Sequence, residues 1–187
     1  MSGHTLTSFV EIVLKKHIRL MAYGGDLQYL SFGNIAVGIE FLGACTDNHP
    51  FEQPGLSKAR FKSGIDTYMA QVDSRYQDYN HFNLNCSGTP TSPYYLYKHP
   101  RCGMAHIIRP QGAIGFCSRN EAQQDGYSHL EKFPDGSKIV MTAEDFYDDF
   151  EKACDLLIAD LPNKTGSKFT GVYLPVGDFP PKEATST

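Results

Sequence analysis

The chain has 187 residues, 41% hydrophobic and 20% charged, proportions that suit one globular domain with its own core. With 17 Lys and Arg against 21 Asp and Glu the net charge is -4, so the chain carries no general basic footprint for nucleic acid, and a site for RNA or DNA has to be a local basic pocket. Five cysteines, odd in number and without a C-x-x-C pair, argue against a disulfide framework and a structural zinc site.

The N-terminal residues lack the basic and apolar regions of a signal peptide, and no run is long enough to cross a bilayer, so no membrane association and a cytoplasmic location are expected. From Leu6 to Tyr23, Phe9, Val10, Val13, Leu14, Ile18 and Met21 recur at helical spacing. Thr7 or Ser8 is placed to cap this helix and Gly24-Gly25 to end it. A second helical segment, Asp26 to Thr46, carries Leu27, Leu30, Ile35, Ile39 and Leu42. Gly33, Gly38 and Gly43 interrupt it at a spacing that lines no single face, which suggests close approach by neighbouring helices. Glu40 stands among apolar residues and needs a partner; Arg101 is a candidate, and a surface salt bridge is the alternative.

After a turn-rich loop around Pro50 and Pro54-Gly55, the segment Ser57 to Tyr79 shows Phe61, Ile65, Tyr68, Met69, Val72 and Tyr76 at helical spacing, with Ser57 as a cap. Tyr68, Tyr76, Tyr79 and Phe82 form a stripe that could stack bases, although such a stripe is more often core. Residues 80–93 read as a loop leading into Tyr94–Pro110. Beyond Pro110 the period changes. Ala113–Cys117 and Lys138–Met141 are short apolar runs, and Asp135-Gly136 signals a hairpin pairing Ser128–Phe133 with Lys138–Met141 in an antiparallel ribbon. Thr142-Ala-Glu-Asp145 resembles a capping box and opens a helix of about five turns that Pro162 stops. The expected architecture is mainly α: a bundle of four to five helices over residues 1–162, a small antiparallel hairpin before the last long helix, and an extended or partly disordered tail over 163–187.

Tyr94–Pro110 holds a fixed cation, an imidazole and a thiol within six residues, on a helix-like stretch containing two prolines and a glycine. The Arg101 guanidinium can fork onto phosphate oxygens, and the His106 imidazole titrates near neutrality and can move a proton. Metal-independent RNA cleavage needs both: a base for the ribose 2′-hydroxyl and a cation for the crowded phosphate. Five positions apart they do not share a face of a regular helix, so convergence needs an irregularity near Pro100 or a second subunit. Lys98, His99, Cys102 and Arg109 complete a local island that could bind substrate; a solvated helix face has the same composition. Cys102 and His106 do share a face at i and i+4, which permits a thiolate–imidazole pair, but no third ligand or orienting carboxylate is evident, and an inert buried cysteine is the plainer reading.

The amphipathic helices, the Leu-Tyr-x-x-x-Arg-x-x-x-x-His pattern at Leu96–His106 and the closing helix resemble the HEPN superfamily. The resemblance implies an all-α bundle that dimerises with paired motifs at the interface, no cofactor, and metal-independent endoribonuclease activity in which Arg101 engages the scissile phosphate and His106 transfers the proton. Cys102 departs from the pattern, since active members usually have a polar residue after the arginine. Two other readings stay open: a non-catalytic HEPN-like module binding a protein partner or a nucleotide, and a thiol enzyme using Cys102 with His106.

Overall fold

The computed structural model describes residues 5–80, 94–107 and 112–170. Its first helix, α1, opens as Leu6–Phe9, widens to π-helical over Val10–His17 and closes as Ile18–Ala22. Leu6, Val10, Leu14 and Ile18, each four residues apart, are buried on one face. The cap is Thr5, one turn before Phe9, whose hydroxyl accepts from the Ser8 amide at 3.2 Å. A single 3₁₀ turn, Gly25–Leu27, reverses the chain into α2 (Gln28–Ala44), the central helix.

Helix α2 buries Phe32, Ile35, Ala36, Ile39 and Leu42. It crosses α3, which runs as Ser57–Gly64, a π-helical stretch Ile65–Met69 and Ala70–Val72. The crossing is backbone to backbone. A Cβ on Gly43 would overlap the carbonyl of Arg60, and one on Gly64 would overlap the carbonyl of Ile39. The glycines of α2 therefore serve close packing within the chain, as their spacing suggested. Asp73 is extended and breaks the helix before α4 (Arg75–Asn80). Tyr68, Tyr76 and Tyr79 are core residues with hydroxyls bonded to Asp160, Asp149 and the Leu130 carbonyl; Phe82 lies outside the described residues.

Arg60 is only 5% exposed and binds Asp47 and the Pro50 and Phe51 carbonyls, fastening the 47–51 loop. Burial alone would raise the Asp47 carboxyl, but the Arg60 and Lys168 donors outweigh it and bring it down to about 2.

Helix α5 begins π-helical as Tyr97–Cys102 and continues as Gly103–Ile107. Strand β1 (Ile114–Cys117) leads through α6 (Arg119–Gln124) to β2 (Ile139–Thr142), and α7 (Ala143–Asp160) follows directly. The expected antiparallel ribbon is not what forms. β1 and β2 pair in parallel, Ile114 with Ile139 and Cys117 with Thr142. Asp135-Gly136 does turn the chain, with Phe133 N bonded to Lys138 O at 2.9 Å, but antiparallel pairing shrinks to an isolated bridge between Lys132 and Ile139. The partner of β2 comes from before α6, a long-range choice that local turn signals do not encode. Helix α6 begins with a complete Ser118–Glu121 capping box.

Past a 3₁₀ turn, Leu161–Asn163, the short helix α8 (Ser167–Thr170) folds back on the end of α2: the Lys168 ammonium bonds the Ala44 and His49 carbonyls and Asp47. Residues 171–187, most of the expected tail, lie outside the described residues. The result is a mainly helical domain of eight helices among the described residues, more and shorter than the four to five expected, with a two-stranded parallel sheet. No described helix is long and apolar enough to cross a membrane.

Candidate functional site

The backbone of α5 explains how a helix tolerates Pro100. In a regular α-helix the carbonyl of Leu96 would accept from the amide of residue 100, which proline lacks. Here it accepts from the amide of Arg101, five residues on, at 3.3 Å. The turn widens by one residue, the lost bond is replaced, and the helix resumes as α from Gly103. The irregularity near Pro100 on which the sequence argument depended is therefore present.

The widened turn delivers Arg101 to α2. Its Nε and Nη2 lie 2.9 and 2.6 Å from one oxygen, Oε2, of Glu40. The same oxygen accepts from Ser57 Oγ at 2.8 Å, and the Tyr97 hydroxyl reaches Ser57 Oγ at 3.4 Å. The Tyr97 ring also lies beside the guanidinium, 5.8 Å from its carbon to the ring centroid. Glu40 and Arg101 keep 21% and 17% of their side chains exposed, so the pair is sheltered but reachable from solvent. Of the two partners open to Glu40, the structure takes Arg101. Ser57 serves this network, and no side-chain cap forms at the start of α3.

His106 is exposed on the last turn of α5 and hydrogen-bonds to no described residue. Lys98 is exposed, Cys102 is half-buried, and the His99 ring packs against Gly112, whose positive φ of 67° favours glycine there. Arg109 lies outside the described residues. Of the expected site residues, Arg101 is thus fixed in a polar network and His106 is presented to solvent; no bond joins Cys102 to His106. Ser57 and Tyr97 were missed as members of this network, because Ser57 looks like a helix cap and Tyr97 like core.

A second polar cluster was not legible in the sequence. His129 is buried between α4 and the start of α7. Its Nδ1 accepts the Thr142 amide at 3.0 Å, which requires the proton to sit on Nε2. Nε2 meets the Tyr76 hydroxyl at 2.9 Å, which in turn donates to Asp149 at 3.1 Å. Burial pulls the imidazole pKa down to about 4. The expected box at Thr142 is replaced by this arrangement: its amide goes to His129, and its hydroxyl donates to Asp145 at 2.6 Å. A cleft of about 330 Å³ opens beside it, lined among others by Arg75, Arg119, His129 and Asp145. Both imidazole nitrogens are engaged and both arginines are paired, Arg75 with Asp73 and Arg119 with Asp145 and Asp148, so the cluster reads as a structural joint. The acidic start of α7 is consumed in the same way, Glu144 by Gln28 and the Arg119 amide and Asp148 by Tyr23 and Arg119. Among the described residues no three His, Cys, Asp or Glu side chains are grouped to hold a metal ion. Burial raises the thiols of Cys45 and Cys117 to about 12 and about 11, and that of Cys154 well up, as suits inert cysteines.

Compared with models of known families, with curated proteins and with solved structures, the chain matches none.

Proposed function

We propose that this chain is a HEPN-like helical protein that cleaves RNA without a metal, Arg101 engaging the scissile phosphate and His106 moving the proton. The observation that carries the reading is the state of Arg101. Its Nε/Nη2 edge is held by Glu40 at the proline-widened turn, while Nη1 bonds to no described residue and is left for a phosphate. His106 stands exposed on the same helix. In this chemistry the imidazole takes the 2′-hydroxyl proton, the 2′-oxygen attacks phosphorus, and the 5′-oxygen leaves with a proton from a second acid, giving a 2′,3′-cyclic phosphate.

The same reading makes the protein a homodimer. Leu30 and Val37 lie along one side of α2, with Leu27 in the 3₁₀ turn just before it, and all three are about half exposed. On the flank of that stripe, Gly33 touches Met104 and Glu40 holds Arg101. A second copy seated on it would bring two Arg101–His106 segments to one seam and supply the second acid; a stable interface of this kind buries about 800 Å² per partner.

The second reading is a non-catalytic module that binds a protein partner or a nucleotide. It is favoured by the carboxylate of Glu40, which already balances the charge of Arg101. Incubation of single-stranded RNA in chelator with wild type, Arg101→Ala and His106→Ala separates the two. Cutting that both variants lose supports the nuclease. No cutting by a folded dimer supports the module, and activity abolished by alkylation of Cys102 would move the site to the thiol.

A further inference from the structure

We infer that Glu40 is the positioning residue of this site and that it makes Arg101 a charge-balanced fork, which selects a phosphodiester by geometry more than by attraction. The inference rests on the nuclease reading of Arg101 and adds a residue that the Arg–His motif does not contain.

A guanidinium has a side edge, Nε with one Nη, and an end edge formed by the two Nη groups. Glu40 occupies the side edge alone, a single oxygen accepting from Nε at 2.9 Å and lying 2.6 Å from Nη2 as its ion-pair partner. Nη1 keeps both of its protons, and with the outer proton of Nη2 it forms an end-on fork for two phosphate oxygens. The carboxylate is itself fixed. Glu40 stands on the central helix, and its Oε2 is held by Ser57 from α3, which the Tyr97 hydroxyl approaches from α5. Three elements thus determine where the fork points.

The same carboxylate removes the long-range pull of the cation. A phosphate approaching an ion pair sealed at 2.6 Å meets little net charge, in a chain whose formal charge is already -4. Affinity must then come from fitting the end edge, which suits a site that acts on a particular bent linkage and ignores bulk nucleic acid.

The test measures binding of a short single-stranded RNA and of its 2′-deoxy counterpart, which cannot be cleaved, over a salt series, together with cleavage kinetics in chelator. The proteins are wild type, Glu40→Gln, Arg101→Ala and the double variant. Freed of its counter-charge, Arg101 in Glu40→Gln should bind both oligonucleotides about tenfold more tightly, with a salt slope steeper by about 0.7, the contribution of one single-strand phosphate. Its kcat should nevertheless fall at least about tenfold, because the fork is no longer aimed. The double variant should bind like Arg101→Ala. Ser57→Ala, which loosens Glu40 without changing charge, should lower kcat and raise KM while leaving the salt slope unchanged.

If Glu40→Gln matches wild type in affinity, slope and kcat while Arg101→Ala loses both binding and cleavage, Glu40 has no positioning role and the nuclease reading stands. The expected binding pattern with no cleavage by wild type keeps the charge balance between Glu40 and Arg101 and sinks both the nuclease and the positioning role. Equal behaviour of Arg101→Ala and wild type overturns both.

Discussion

Nη2 of Arg101 lies 2.6 Å from Oε2 of Glu40, joining the proline-widened turn of α5 to the central helix α2. About four-fifths of each side chain is covered, so removing one partner strands the other in a partly desolvated position. Glu40→Ala and Arg101→Ala should each destabilise the fold by about 1–3 kcal/mol in urea unfolding. The double variant should lose less than the sum, with a coupling on the order of 1 kcal/mol. Strict additivity would mean that the pair contributes nothing in solution.

Pro100 sets the register of that turn, because it cannot donate to Leu96 and the Arg101 amide does so instead. Pro100→Ala restores the missing donor and lets α5 close as a regular helix, which rotates Arg101 relative to Glu40. The variant should stay within about 1 kcal/mol of wild-type stability while losing coupling between Arg101 and Glu40. An unchanged coupling energy in the Pro100→Ala background would contradict this account of the turn.

His129 makes stability depend on pH. The unfolded chain takes up a proton on this imidazole near its ordinary value of about 6.5, whereas burial holds the folded imidazole down to about 4. The unfolded state therefore binds more protons as pH falls, and this contribution is fully present above about 6.5 and declines towards about 4, by up to about 3 kcal/mol. Urea midpoints of wild type and His129→Gln should converge as pH falls through that window. Parallel curves would show that the buried imidazole does not resist protonation.

The crossing of α2 and α3 gives a contrast between two glycines. A Cβ on Gly43 meets the Arg60 backbone, which cannot yield, whereas one on Gly33 meets the side chain of Met104 at 3.3 Å. Gly43→Ala should cost about 3 kcal/mol or more in thermal or urea unfolding. Gly33→Ala should fall within about 1 kcal/mol of wild type, since better helix propensity offsets a small repacking of Met104. Equal effects would place the close approach elsewhere.

What could be read in the sequence follows from the range of the interactions. The faces of α1, α2, α3 and α7 were legible because Val10, Ile35, Phe61 and Phe150 recur at the local period of a helix. The π-helical widenings were not, because they depend on how each rod meets its neighbours. Asp135-Gly136 announces a turn correctly but does not say which distant strand Ile139–Thr142 will choose, and it chose Ile114–Cys117. The Ser118–Glu121 box is present in the residues, but the polar stretch that holds it carries no apolar period to announce a helix. At the candidate site, Glu40 could be matched to Arg101 because an isolated carboxylate on an apolar helix demands a cation. Ser57 and His129 could not be placed, since a serine at a helix start and a histidine in a polar stretch each have a commonplace local explanation, and their partners come from distant segments.

The most direct test of the central claim is the end chemistry of RNA incubated with the protein in excess chelator. The account predicts fragments ending in 2′,3′-cyclic phosphate from wild type, none from Arg101→Ala or His106→Ala, and none where the scissile ribose lacks its 2′-hydroxyl. Intact RNA with wild type, or equal cleavage by wild type and both variants, would contradict it.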